Sequence, residues 1–340
     1  MRLLWDWRLA RVLDSDGTII DELIWDGTRG PGAASKRLGF VTRGRMTLEA
    51  RDLHERFPDA AVDGVTSSAK TIDWPPLEAD EMALLDAAAI ILSREAVAEA
   101  ASDIDRRLEH LVDATTEMRD AALTIESRVV EWLGLFLAEL DLDAMRRQIP
   151  IAMAAAANIG EVAEQLGVAQ SKHPPLESEW RAMRDTATAQ CQAAERLEAA
   201  ERAIREHALE HLPSLSALLG PLLAAKLSVI AHGRARLARL PSSTLQVLGA
   251  EKAFFSHLRS GTPVPKHGMI FQHPWISRSP RWIRGKVARM LAGKATIAVR
   301  VDHFGGETWG TIEVGAVEQA VTAIRKRHPS PTKNRQNNNR

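Results

Sequence analysis

The sequence predicts a mainly α protein with a small sheet domain at its start, and three observations carry that expectation. From Pro76 onward apolar residues recur at helical spacing, an Ala-rich seam runs through residues 180–208, and near the beginning two apolar segments flank a Gly-containing turn. With 340 residues, 45% of them hydrophobic, the chain can bury a substantial core and is expected to form two or three domains.

At the start of the chain, "RLARVLDSDGTIIDELIW" places Asp14-Ser15-Asp16-Gly17 between two apolar segments, which predicts a β-hairpin. "GTRGPGAASKRLG" is expected as a surface loop; it is no phosphate loop, because Lys36 follows Ser35 instead of a glycine and the G-x-x-x-x-G-K-[ST] pattern fails. Residues 81–101 are strongly apolar, and the next stretch carries Ile104, Leu108, Leu111, Val112, Met118 and Leu123 at helical spacing. Between about Ile151 and Leu209 two long helical segments are expected, divided at "AQSKHPP", where Pro174 and Pro175 forbid continuation of the first.

The second of these segments puts Trp180, Met183, Ala187, Ala194, Leu197, Ile204 and Ala208 on a heptad seam interrupted by Gln190 and Glu201, which reads as one arm of an antiparallel helical hairpin. Small seam residues bury little area, and with Trp180 expected to be exposed the hairpin needs a partner, so a homodimer is expected. Cys191 within this arm reads as a structural small residue. Farther on, Pro213 opens another helical start, and "PSSTLQVLGAEKAFFSHL" reads as one capped helix in which Gly249 permits close backbone contact. The stretch after Arg325, "KRHPSPTKNRQNNNR", is basic, Pro-containing and Asn-rich and is expected to be disordered.

Composition excludes several classes. One cysteine rules out a disulfide framework and a multi-cysteine zinc site, and fits a reducing, cytoplasmic compartment. The first residues are too short and too charged a stretch for a signal peptide, and the longest apolar runs fall well short of the roughly 20 residues that span a bilayer, so no membrane is expected. The formal net charge of zero hides an asymmetry: residues 241–340 hold 16 Lys+Arg against 5 Asp+Glu, whereas residues 1–240 hold 28 against 39. A basic end joined to an acidic remainder suits a polyanion at one end and protein partners at the other.

The basic end has internal order. Taken as a helix, "RGKVARMLAGKATIAVRV" gathers Val287, Met290, Leu291, Ile297, Ala298 and Val301 on an apolar arc, with Lys294 snorkelling from its middle and only Ala288, Ala292, Thr296 and Val299 opposite, so most of the helix is fit for burial. Lys286, Arg289 and Arg300 fall within roughly 60° of one another with Gly293 between them, which lets a phosphate backbone approach. Upstream, Lys266, His267, His273, Arg278, Arg281 and Arg284 alternate with Phe271, Trp275 and Trp282. Positive charge mixed with flat rings suits RNA, whose unstacked bases stack on rings and guanidinium planes while phosphates take the charge. His257, His267 and His273 are the candidates for metal or acid–base chemistry. No Asp or Glu lies between Lys252 and Arg300 to support them, so no metal, cofactor or catalytic site is expected.

The run from about Leu212 to Asp302, with "GAEK", "PKHG", "IFQHP" and "RGK" in order and at the expected spacing, closely resembles the Nop domain of archaeal Nop proteins, core scaffolds of box C/D ribonucleoproteins that guide RNA 2′-O-methylation. "RVVEWLGLFLAELD" is similar to the passage into that family's coiled coil, with Leu133 where an aromatic is usual, and Ser256 stands where an arginine is usual. The resemblance implies a small α/β N-terminal domain over residues 1–110 that binds the methyltransferase fibrillarin. It implies an antiparallel coiled coil over 111–208 that homodimerises, an α-helical Nop domain over 209–325 and a basic tail over 326–340. It further implies that box C/D guide RNA and a small ribosomal-protein-like kink-turn binder meet a surface of Gly249, Ala250, Glu251, Lys252, Lys266, His267, Gly268, Gln272, Arg284, Lys286 and Arg289. The function so implied is a non-catalytic RNA-binding scaffold in RNA processing; a Nop-domain splicing factor binding a small nuclear RNA, and a histidine-dependent RNA-processing enzyme, are the alternatives.

Overall fold

The structure, a computed structural model, describes residues 1–62, 74–261 and 263–330. The final ten residues of the expected basic tail, 331–340, lie outside the described residues. The chain divides into two compact units, Met1–Asp103 and Ile104–Arg340.

In the first unit the order is β1 (Arg2–Trp5), β2 (Leu9–Leu13), β3 (Ile19–Ile24), α1 (Pro31–Thr42), α2 (Leu48–Arg56), β4 (Ala61–Val62) and α3 (Ala79–Ala100). The strands form one sheet in the order β3-β2-β1-β4, antiparallel except for the β1–β4 pair. The expected hairpin is β2–β3. Gly17 takes φ +87°, a region that favours glycine, and the Asp14 carboxylate accepts from the N–H groups of Asp16 and Thr18 at 2.9 and 2.8 Å.

The expected surface loop is instead helix α1, whose Pro31 sits in the first turn, where a missing N–H costs nothing. Its basic residues disguised it: Arg37 is buried, donating from Nε to the Trp7 carbonyl at 2.7 Å, pairing with Glu49 and lying 4.7 Å over the Trp25 ring. A satisfied guanidinium can therefore face the interior.

The second unit runs α4 (Ile104–Phe136), α5 (Gln148–Ala155), α6 (Ile159–Leu166), α7 (Glu177–His211), α8 (Pro213–Leu219), α9 (Pro221–Ile230), α10 (Arg234–Arg239), α11 (Ser242–Val247), α12 (Glu251–Ser260), a 3-10 turn at Met269–Gln272, α13 (Pro274–Ser277), α14 (Arg284–Phe304) and α15 (Thr311–Arg327). The hairpin exists, but its arms are α4 and α7. The segment before Pro174-Pro175 is broken into α5 and α6 at Asn158, whose side chain accepts from Glu161 N–H at 3.1 Å and starts a new helix.

Antiparallel packing shows in two separate clusters. Leu108 and Val112 meet Ile204 and Ala208 at the base, and Val129, Val130 and Leu133 join Trp180, Met183 and Ala187 at the far end. Trp180, expected to be exposed, is buried, with Nε1 donating to the Ala157 carbonyl at 2.7 Å, and the seam residue Ala194 is exposed. Glu201, the interruption in the heptad, pairs with Arg119 across the hairpin and with Arg205 one turn on. Leu123, counted among the helical apolar positions of α4, is 50% exposed.

Beyond the hairpin α14 is the central helix. Its buried face is Val287, Ala288, Leu291, Ala292, Ala295, Thr296, Ala298 and Val299, among side chains of α8, α9, α10, α11 and α15. It takes in Val287, Leu291 and Ala298 of the expected apolar arc and all four residues opposite, while Ile297 of the arc is 48% exposed. The alanines of that face let neighbouring helices approach closely, while Val287, Leu291 and Val299 fill the space between them. Lys294 is exposed, and the Asp302 carboxylate accepts from Ser214 and Leu215 N–H at 2.8 and 2.9 Å, satisfying the start of α8.

Candidate nucleic-acid interface

The residues expected to form one capped helix are two, α11 and α12, because Gly249 takes φ +81° and turns the chain between them. That break brings the "GAEK" and "PKHG" segments together. Gly268 N–H donates to the Gln246 carbonyl at 2.8 Å, and Met269 N–H to the Leu248 carbonyl at 2.7 Å. A Cβ on Gly268 would stand 2.1 Å from the Leu248 carbonyl oxygen, and one on Gly249 3.2 Å from the Met269 Cβ. Both glycines are there because two backbones touch.

Against this junction lies a cleft of 980 Å³ whose basic lining residues are Lys266, Arg281, Lys286 and Arg289. Trp282 and Met290 form its apolar wall, together with Val247, Pro263, Val264 and Pro265. Among the described residues, none that lines it is acidic. Lys286 and Arg289 are exposed on the side of α14 away from the core, and Gly293 has no atom within 4 Å of where a Cβ would be. Arg300, expected on the same stripe, donates from Nε to the Ala238 carbonyl at 3.0 Å. Gly285 is within the cleft wall, leaving backbone accessible.

The other expected site residues fall into two neighbouring groups. His267 stacks on Phe271 with ring centroids 4.5 Å apart and planes 16° from parallel, and the Arg284 guanidinium carbon lies 5.4 Å from the same ring. Arg284 is held by the Ser279 and Ser277 carbonyls, at 2.9 and 3.0 Å, so it serves as a fixed positive plane. Burial lowers the His267 pKa, and the charges of Arg284 and Lys266 lower it further against an opposing backbone hydrogen bond. This ring is accordingly neutral near pH 7. Gln272 is exposed, its amide donating to Met269 Sδ at 2.8 Å. Gly249, Ala250, Glu251 and Lys252 open α12, where the Glu251 carboxylate accepts from Gly249 N–H at 3.0 Å and Lys252 projects to solvent.

Helix α12 buries none of its residues; Phe254, Phe255 and Leu258 are 45%, 58% and 63% exposed.

The remaining histidines differ. His273 is 8% exposed, its Nδ1 accepting from Trp275 N–H at 3.2 Å at the start of α13, and burial pulls its pKa down to about 4. It is a helix cap. Among the described residues no group of three or more His, Cys, Asp or Glu is arranged to hold a metal ion.

Two contributors were not legible. Gln246 reaches across to the Lys266 carbonyl at 2.6 Å, and His328 at the end of α15 meets Trp282 and Lys286. The first sits in an unremarkable helix and the second some forty residues from its partners, so neither leaves a local signal.

A helical domain presenting a carboxylate-free basic cleft walled by aromatic and aliphatic groups has the chemistry of a polyanion-binding module. Residues 115–326 match the family described as "Nop: snoRNA binding domain, fibrillarin", and the chain belongs to that family. An uncharacterized NOP5 family protein of Methanocaldococcus jannaschii is 46% identical over 122 residues, 36% of this chain and 29% of that protein. Human nucleolar protein 56 is 45% identical over 92 residues, 27% of this chain and 16% of that protein. The matches thus span under a third of either relative. A crystal structure of a fibrillarin/Nop5p complex aligns with 90% of this chain and 97% of its own at 22% identity and a TM-score of 0.39.

Proposed function

We propose that this chain is a non-catalytic scaffold of a box C/D ribonucleoprotein, in which the cleft of Lys266, Lys286 and Arg289 takes the phosphates of a kink-turn guide RNA. The observation that carries the proposal is that cleft itself: basic groups and the Trp282 ring converge, with no carboxylate among the described residues that line it, at the junction of the two glycine-bearing segments, in a chain of the Nop family. Phosphates bind the ammonium and guanidinium groups, while an unstacked base finds flat partners at Trp282 and at the His267–Phe271 stack.

Two protein partners are proposed on exposed apolar surface. The α12 side chains Phe254, Phe255 and Leu258, beside the cleft residues' junction, fit a small kink-turn-binding protein that holds the same RNA. In the first unit β3 is an edge strand with Ile19, Ile20 and Ile24 about half exposed, a surface suited to a fibrillarin-like methyltransferase that would supply the chemistry of 2′-O-methylation. Self-association through the hairpin is proposed from exposed Leu123, Leu135 and Ile151, and the cytoplasm is the proposed compartment.

Reconstitution tests the reading. The purified chain, a box C/D RNA, a kink-turn-binding protein and a fibrillarin-like methyltransferase should assemble and methylate a target complementary to the guide, with no methylation when this chain is omitted. Methylation or cleavage of RNA by this chain alone would contradict it.

A further inference from the structure

Helix α15 is anchored in the core by Val317 and Val321, and its last turn grips the corner from which one wall of the cleft is built. Arg325 donates from Nε and from one terminal nitrogen to Ser279 Oγ, both at 3.2 Å, and from that same nitrogen to the Trp275 carbonyl at 3.2 Å. Ser279 is 2% exposed, and its carbonyl accepts from Arg284 Nε at 2.9 Å. Two guanidinium groups thus close on one buried serine, and the end of α15 is fixed to the start of α14.

His328, which caps that end, meets the cleft through two of its residues. Trp282 Nε1 donates to the His328 carbonyl at 3.0 Å, and Lys286 Nζ stands 2.9 Å from His328 Nε2. An ammonium can only donate, so the imidazole nitrogen accepts. Among the described residues that line the cleft Trp282 and Lys286 are present and His328 is not, so whatever it does for the site passes through them. A free lysine side chain gives up rotamer freedom when it meets a phosphate. Here one ammonium proton is taken by His328, two remain for an anion, and the stem is ordered before the anion arrives. The indole is likewise held by its N–H, with the residue 43% exposed.

Resting on the proposed RNA binding, we infer that His328, at the end of a helix pinned by Arg325, is a positioning residue of the RNA site that holds the Lys286 ammonium and the Trp282 ring in their binding orientation. It contributes orientation and no charge, which separates its effect from that of the cation it holds.

A double-mutant cycle on the full chain tests this, with a fluorescein-labelled box C/D kink-turn RNA, presaturated with the small kink-turn protein, titrated at several salt concentrations. His328→Ala should weaken binding about two- to tenfold, the worth of one immobilised long side chain, and leave the slope of log K against log salt unchanged, because no cation is removed. Lys286→Ala should weaken binding and lower that slope by about 0.7–0.9. Adding His328→Ala to Lys286→Ala should cost far less than in the parent, since the group it positions is gone. His328→Gln, whose side-chain oxygen can accept from the ammonium, should recover most of the loss. A His328→Ala variant that binds as the parent does, an equal cost in both backgrounds, or a Gln variant as weak as the Ala variant would overturn the positioning role; with Lys286→Ala still weakening binding, the cleft would stand. Absence of binding by the intact protein, or a Lys286→Ala variant equal to the parent in affinity and slope, would overturn the part of Lys286 in the cleft and the positioning role together.

Discussion

The Asp105 carboxylate, in the first turn of α4, lies 2.9 Å from His211 Nε2 at the end of α7 and also accepts from Arg234 N–H at 3.0 Å. One side chain thus ties both hairpin arms to the His232-Gly233 turn, where φ is +61° and +108° and where a Cβ on Gly233 would collide with Asp105 at 2.9 Å. Burial raises the Asp105 pKa, but hydrogen bonds from His211, Arg234 N–H and Ser228, with the imidazole's charge, outweigh it and hold the carboxyl below the ordinary value.

A carboxyl depressed in the folded state contributes stability that is complete above the unfolded pKa of about 3.9 and is lost as pH falls through the folded value. Asp105→Asn should cost roughly 2 kcal/mol at pH 7, since hydrogen bonds to a charged acceptor are replaced by weaker ones. Urea midpoints should converge between variant and parent below pH 4. A pH-independent difference would show that the charge is immaterial.

His273 has its own pH window. Its folded pKa of about 4 lies below the ordinary histidine value of about 6.5, so the folded protein holds fewer protons than the unfolded one between those limits. Stability should therefore fall as pH drops from about 6.5 to about 4, by up to roughly 3 kcal/mol. His273→Asn keeps a capping acceptor but cannot titrate, and should flatten that stretch of the urea-midpoint profile.

Much of the fold was legible from local signals: the turn residues Asp14 to Gly17 mark the β2–β3 hairpin, and apolar residues at helical spacing mark α4, α7 and α14. What failed was anything decided by distant partners. Helix α1 looked like a loop because nothing near Arg37 announces Glu49 and the Trp7 carbonyl, and the partner of α7 was sought next to it instead of at α4. For α14 the expected burial of most of the helix holds, and what spacing did not show is that Ile297 faces outward. Of the candidate site, Lys266, Lys286 and Arg289 converge on one cleft, whereas Arg284 is committed to carbonyls, and His328 had no sequence signal.

Gly293 separates stability from function. It sits inside α14 with open space where a Cβ would be, so Gly293→Ala should raise stability by about 0.5–1 kcal/mol through helix propensity. If phosphates approach along this stripe, the added methyl should nonetheless weaken RNA binding. Thermal melts and RNA titrations on one preparation decide it, and a variant that binds as tightly as the parent removes Gly293 from the contact surface.

Self-association should depend on exposed apolar residues of the hairpin and of α5, which packs on α7. Ile151, 65% exposed, borders a 400 Å³ hollow between α4, α5 and α7 that includes Pro150, Cys191 and Ala194. Sedimentation of the intact protein at micromolar concentration should give a dimer and Ile151→Asp a monomer, since the apolar contact is lost and the new carboxylate must be desolvated to enter an interface. A monomeric parent contradicts the assignment.

The proposed function stands or falls with the cleft of Lys266, Lys286 and Arg289 as the holder of RNA phosphates. The decisive quantity is the salt dependence of binding to one kink-turn RNA, presaturated with the small kink-turn protein, by the parent and by Lys266→Ala/Arg289→Ala. Each lost phosphate contact should reduce the slope of log K against log salt by about 0.7–0.9, so the double variant should bind more weakly with a slope lower by about 1.5, whatever the guide sequence. Equal affinity and equal slope in parent and variant would contradict a phosphate-binding cleft.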